Sequence, residues 1–267
     1  MLNIWNTNNN PFLIVGDIHG LFEDFCYFIT KKKNISDVNV VVCGDFGVGF
    51  YKPNYYTTLF KKLNKKLKNS NVHIYALRGN HDDPLYYSNK ELQDTILNGV
   101  NYIHLVDDYD IIKSDTHNIL CIGGARSIDK TNRWKWDYIT QTKVADGWWE
   151  GEMVNDIPDG FDKFVVENNL VIDTICTHSS PDFCMPLTKE GLVYWSKYDD
   201  TLIEECDKER KLLTSIYERL KDKHNIKYWF YGHFHHTYIL IDNDVLFRGI
   251  DMFDNTYYSN DYYLFYE

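Results

Sequence analysis

Short unbroken apolar runs, each closed by a polar loop, alternate in the first half of the chain with stretches of helical periodicity. PFLIV (11–15) leads into GDIHG, VNVVVC (38–43) into GDFG, and VHIYAL (72–77) into RGNHD. Unbroken runs of this length predict strands buried on both faces. Between them, residues 21–33 carry Leu21, Phe22, Phe25, Phe28 and Ile29 at helical spacing. Residues 54–69 do the same with Tyr55, Leu59, Phe60, Leu63 and Leu67, and put lysines on the opposite face. Strand alternating with helix predicts βαβ units in an α/β fold with a parallel or mixed sheet.

The second half has a different texture. YIHLV (102–106), YDIIK (109–113) and NILCIGG (118–124) predict closely spaced strands, and LVIDTICT (170–177) predicts a further buried one. Residues 198–222 read as a long, charged amphipathic helix. KYWFYG (227–232), TYILI (237–241), VLFRG (245–249) and DYYLFYE (261–267) predict a β-rich end, with DND (242–244) as a hairpin turn. Residues 124–160 follow neither period, and a long irregular segment in a compact domain is usually functional. No linker or internal repeat interrupts the pattern. The expectation is one domain over 1–267 carrying an irregular insert at about 124–160.

Composition narrows the picture. A chain of 267 residues is long enough for a sizeable single core. The net charge of −11 argues against a broad basic face, so neither nucleic acid nor an anionic membrane is an expected partner. Six cysteines without a CxxC pair fit reduced core thiols in a cytoplasmic protein. Residues 1–10 lack a basic start and an apolar core, so they do not read as a signal peptide, and no apolar run is long enough for a bilayer.

Chemistry concentrates in the loops. In sheets of this kind ligands gather at the carboxyl ends of strands. There the sequence places Asp17 and His19 (GDIHG), Asp45 (GDFG), Asn80 and His81 (RGNHD), His178 (CTHSSP), and His233 with His235 (GHFHH). A carboxylate can bridge two cations through its two oxygens, an amide offers a neutral oxygen, and imidazoles offer nitrogens. Such a mixed set suits Mn, Fe, Zn or Ni better than Ca or Mg. Each motif alone is weak; five in this order, each at a strand end, are not.

In this combination the chain resembles the calcineurin-like metallophosphoesterases, marked by GDxHG, GDxx(D/E)RG, GNH(D/E), a lone (G/T)H and GHxH. The resemblance spans residues 16–235. It implies a four-layer α/β/β/α sandwich with two mixed β-sheets. It also implies two divalent ions, manganese first. One would take Asp17, His19, Asp45 and His235, and the other Asp45, Asn80, His178 and His233. A hydroxide shared by the two ions would attack phosphorus, and His81 would protonate the leaving group. Asp82, adjacent to His81, is a candidate orienter of its ring. A narrower resemblance, through GGARSID (123–129), GWWEGE (147–152) and THSSPD (177–182), is to small bacterial and phage phosphoesterases of the same superfamily.

One departure shapes the functional expectation. Where protein serine/threonine phosphatases carry Asp-Arg-Gly, this chain has Val48, Gly49 and Phe50. The expected activity is therefore hydrolysis of a phosphomonoester or small phosphodiester. A protein phosphatase is the alternative, and a catalytically silent metal-binding scaffold is an alternative of another class. A phosphate needs a cationic contact, and Arg126 in GGARS is the first candidate, since Arg grips phosphate with two prongs. Arg78 is expected to brace its loop, with Arg133 and Arg248 as weaker candidates. Trp134, Trp136, Trp148 and Trp149 read as cover for the insert's own small core.

Overall fold

The computed structural model describes residues 2–137, 142–145, 147–254 and 262–264, with backbone alone at 134–137 and 142–145. In chain order the strands are β1 (Ile4–Asn6), β2 (Phe12–Val15), β3 (Val38–Val42), β4 (Val72–Ala76), β5 (Ile103–Leu105), β6 (Ile111–Lys113), β7 (Asn118–Ile122), β8 (Trp134–Asp137), β9 (Thr142–Ala145), β10 (Thr174–Thr177), β11 (Tyr228–Tyr231), β12 (Tyr238–Asp242), β13 (Val245–Gly249) and β14 (Tyr262–Leu264). The helices are α1 (Phe22–Tyr27), continued by a π-helical stretch at Phe28–Lys32, α2 (Pro53–Ser70), α3 (Leu85–Ser88), α4 (Lys90–Ile96), α5 (Phe161–Glu167), α6 (Leu192–Trp195) and α7 (Leu202–Lys221).

Two mixed sheets form. One has the order β14-β2-β3-β4-β5, parallel except for β14; the other has the order β1-β6-β7-β10-β11-β13-β12, antiparallel at β6–β7 and at β13–β12. Side chains alternate across each strand, which sets the layers. Phe12, Ile14, Val41 and Tyr75 of the first sheet meet Ile112, Ile119, Cys121, Cys176 and Phe230 of the second in one inter-sheet core. The opposite faces carry helices. Leu13, Val40, Val42 and Ile74 pack with Phe22, Phe25, Phe60 and Leu63 of α1 and α2. Leu120, Ile122, Ile175 and Trp229 pack with Phe161, Leu213 and Tyr217 of α5 and α7. The result is the α/β/β/α sandwich expected.

Several boundaries differ from expectation for local reasons. The strand expected over 170–177 begins only at Thr174; just before it, the Asp173 carboxylate accepts from the Asn118 amide at 2.6 Å and contacts His117 Nδ1 at 2.8 Å. The short edge strand β1, paired in parallel with β6, was not expected, since three residues carry no readable period. The insert is not irregular throughout. It contains a 3₁₀ turn at Lys130–Asn132 and the hairpin of β8 and β9, with Trp134 opposite Ala145. The DND turn is a two-residue connection in which Asn243 and Asp244 have φ of 48° and 62°, as a type I′ hairpin requires. Of the final expected strand, Tyr262–Leu264 pairs with β2; residues 261 and 265–267 lie outside the described residues.

All six cysteines are free thiols, five of them buried. Among the described residues, no helix is long and apolar enough to cross a membrane.

Candidate metal centre

Because β2, β3 and β4 run parallel, as do β7, β10 and β11, their carboxyl ends bring GDIHG, GDFG, RGNHD, CTHSSP and GHFHH together at one edge. Two glycines show how tightly. A Cβ on Gly232 would lie 2.2 Å from Asp17 Oδ1, and one on Gly79 would lie 2.1 Å from Asp45 Oδ1. The turns are also backbone-strained. His19, Asp45, His233 and His235 all have positive φ, between 46° and 64°. Non-glycine residues take that conformation at a cost of about 1–3 kcal/mol each, and such strain clusters at functional sites.

Two donor groups result. In the first, Asp17, His19, Asp45 and His235 offer one ligand atom each, all within 4.8 Å of one another. His235 Nε2 lies 3.1 Å from Asp17 Oδ2 and 3.1 Å from His19 Nε2, and His19 Nδ1 lies 3.7 Å from Asp45 Oδ2. In the second, His178 Nε2 lies 3.1 Å from Asn80 Oδ1, 3.3 Å from Asp45 Oδ1 and 3.3 Å from His233 Nδ1. Asp45 thus belongs to both groups, with a different oxygen in each.

Surrounding bonds set these atoms. His178 Nδ1 donates to the Cys43 carbonyl at 2.8 Å, which fixes the ring with Nε2 facing the cluster. Asp17 Oδ1 accepts from the His233 amide at 2.9 Å, and Asp45 Oδ1 accepts from the His81 amide at 2.7 Å. The Asn80 amide donates to Ser127 Oγ at 3.1 Å, which turns its oxygen toward His178. Ser127 in turn donates to Glu152 Oε2 at 2.6 Å. This Glu152–Ser127–Asn80 chain was not foreseen from the sequence, although both partners lie in the GGARSID and GWWEGE segments.

Electrostatically the cluster is ready for cations. Burial opposes ionisation of Asp17 and Asp45, but the neighbouring histidines, His178 foremost, outweigh it and hold both carboxyls below their usual range. Burial likewise opposes charge on His178, yet Asp45 and Asp17 lift it to about 9. The protein therefore satisfies two buried carboxylates with histidine protons that divalent ions would replace.

His81 borders the first group without joining it. Its Nε2 is 4.0 Å from Asp45 Oδ2 and 2.7 Å from Arg133 Nη2. Burial takes His81 down to about 4, with Arg133 adding to the fall and Asp45 opposing it, so the ring is neutral near pH 7 and accepts the guanidinium N–H.

Two sequence expectations require correction. Asp82 does not orient His81. Its carboxylate accepts four backbone N–H bonds, from Phe46, Gly47, Val48 and Gly79, and so welds the GDFG loop to the RGNHD loop. Burial and Asp45 push it up to about 7 against those donors. Asp82→Asn puts an amide N–H where two of the bonds end. We expect about 1–3 kcal/mol for each stranded N–H, roughly 2–6 in total, read as a lowered denaturant midpoint; an unmoved midpoint would show that those N–H groups find other partners.

Arg126 is not free to grip phosphate. Its guanidinium is only 2% exposed and is held by Glu205 at 2.5 Å, Asp199 at 2.7 Å and Glu152 at 3.3 Å. Three carboxylates compete with any phosphate there, so Arg126 ties the insert to α7. Arg78 braces its loop through Asp108 and the carbonyls of Gly151, Glu152 and Met153. The cations at the metal edge are Arg133, at His81, and Lys189, whose Nζ is 3.2 Å from His233 Nδ1 and also donates to the His233 carbonyl. The Trp134 and Trp136 side chains lie outside the described residues. Trp148 lies under the Lys130 ammonium at 4.2 Å, and Trp149 packs edge-on to Phe50 at 5.2 Å.

A two-sheet sandwich with this cluster at its carboxyl edge defines a metal-dependent phosphoesterase fold. The family model of the calcineurin-like phosphoesterases matches residues 10–237, and the chain belongs to that family, whose members are hydrolases that use divalent metals. No curated protein matches significantly. One crystal structure aligns over 96% of this chain and 98% of its own, at 13% identity and a TM-score of 0.50. An archaeal phosphodiesterase aligns over 96% and 99%, at 13% identity and a TM-score of 0.41. The Thermus thermophilus protein TT1561 aligns over 95% and 98%, at 10% identity and a TM-score of 0.48. At these identities the likeness concerns the fold alone.

Proposed function

We propose that the chain hydrolyses a phosphomonoester or a small phosphodiester at two divalent ions, manganese first, with iron, zinc or nickel as alternatives. The observation that carries this reading is Asp45, whose two oxygens face two separate donor groups. Asp17, His19, Asp45 and His235 would hold one ion, and Asp45, Asn80, His178 and His233 the other. Bound there, the ions would activate water and neutralise phosphate charge.

The remaining chemistry falls to side chains. His81 is the proton donor to the leaving oxygen. Neutral in the free protein, it gains its proton when a negatively charged phosphate docks beside it, because an adjacent anion favours the imidazolium. Arg133 would steady a phosphate oxygen from the same side, in place of Arg126. Where protein phosphatases carry the arginine and its neighbouring acid, this chain has Gly49 and Val48, which disfavours a protein substrate.

The test is metal-free protein reloaded singly with Mn²⁺, Zn²⁺, Ni²⁺ or Fe²⁺ and assayed on p-nitrophenyl phosphate and bis-p-nitrophenyl phosphate. Hydrolysis that requires the metal is the expected result. Tight metal binding with no turnover of either ester would favour the scaffold reading instead.

A further inference from the structure

Two separate openings for organic groups flank the candidate metal centre. The first lies at His81. Phe50, 48% exposed, stacks over the His81 ring at 6.2 Å and 30°, with Trp149 edge-on behind it. The close approach of Trp149 depends on Gly49, where a Cβ would lie 2.9 Å from Trp149 Cζ2. The Gly-Phe dipeptide that replaces the phosphatase arginine thus builds an aromatic wall beside the proton donor.

The second opening is a cavity of about 510 Å³ beyond His233, within the range of small-molecule sites. Its lining includes His233 and Lys189 on the metal side, and Ile128, Leu192, Ile203 and Phe234 as apolar walls. It shares no lining residue with the Phe50 wall.

A monoester carries one organic group, and if His81 protonates the leaving oxygen, that group must lie against Phe50. Nothing in a monoester then reaches the cavity. A diester carries a second group, retained on phosphorus after cleavage. We infer that the substrate is a small phosphodiester, its leaving group set against Phe50 and Trp149 and its retained group lodged in the cavity beside Lys189. This inference rests on the hydrolytic reading above.

Ile203→Trp tests it. Ile203 is 53% exposed, so the larger ring can be carried without disturbing the core, yet it lines the cavity. With the manganese-loaded full chain, wild type should favour bis-p-nitrophenyl phosphate over p-nitrophenyl phosphate in kcat/KM. In Ile203→Trp that ratio should fall about ten-fold, the scale expected for one apolar group losing its pocket. A monoester preference, or a ratio unmoved by the substitution, overturns the inference and leaves the hydrolytic reading standing. A second readout avoids turnover. Calorimetric binding of diphenyl phosphate to metal-loaded His81→Ala should weaken about ten-fold when Ile203→Trp is added. Equal affinity in the two variants overturns the cavity's role. If wild type hydrolyses neither ester but diphenyl phosphate binding shows the expected loss, the hydrolytic reading fails and the cavity still holds the diester's group.

Discussion

Asp45→Asn is expected to reduce bound metal from two ions per chain to one at most, and to abolish hydrolysis to the limit of detection. Asp45 is 1% exposed and sits between the two donor groups. One oxygen faces His178 Nε2 at 3.3 Å and the other faces His19 Nδ1 at 3.7 Å. An asparagine of the same shape offers one acceptor oxygen and an NH₂, so one group loses its carboxylate ligand and meets a donor. As a bridge, Asp45 would let one negative charge screen two cations from each other, which an amide cannot do. Losing several kcal/mol of charge stabilisation corresponds to roughly 10²–10⁴-fold in rate. Elemental analysis after dialysis gives the metal count, and ester turnover gives the rate. Two retained ions with wild-type turnover would refute the bridge.

The parts of this site that were legible in the sequence are those encoded locally. A buried strand writes itself as an unbroken apolar run, and a tight turn at its end demands glycine, so GDIHG, GDFG, RGNHD and GHFHH stand out without knowledge of their neighbours. The inter-sheet core is legible in the same way: Ile14, Val41 and Tyr75 alternate inward along runs that the eye already reads as strands. Partners distant in sequence leave no such mark. Arg126 finds Glu205, 79 residues on, and Asp199, 73 residues on in the turn before α7; nothing local distinguishes an arginine committed to three acids from one waiting for phosphate. Asp82 misled for a related reason. Adjacency to His81 suggested a contact, but successive residues on a turn point apart, and its carboxylate went to backbone amides 34 to 36 residues earlier. The Glu152–Ser127–Asn80 chain spans the insert, where no period operates, so only folding could join its members.

His81→Ala should leave both ions and the fold in place while lowering kcat by roughly 10²–10⁴-fold, the usual worth of a positioned general acid. The ring stands outside both donor groups: its Nε2 is 4.0 Å from Asp45 and its nearest partner is Arg133. Metal content is therefore the control that separates a lost acid from a damaged centre. Leaving-group dependence supplies a signature that a structural role would not reproduce. A p-nitrophenolate departs readily without a proton, whereas an alkoxide does not. The loss in His81→Ala should accordingly be smallest for p-nitrophenyl esters and largest for alkyl esters. The pH profile gives an independent check. His81 is neutral in the free protein above about pH 4, because burial and Arg133 outweigh Asp45. An imidazole that must pick up its proton as substrate binds should make wild-type kcat/KM fall toward high pH, and the alanine variant should lack that limb. A loss uniform across leaving groups, with the alkaline limb intact, would remove His81 as the proton donor and reassign it to holding phosphate beside Arg133.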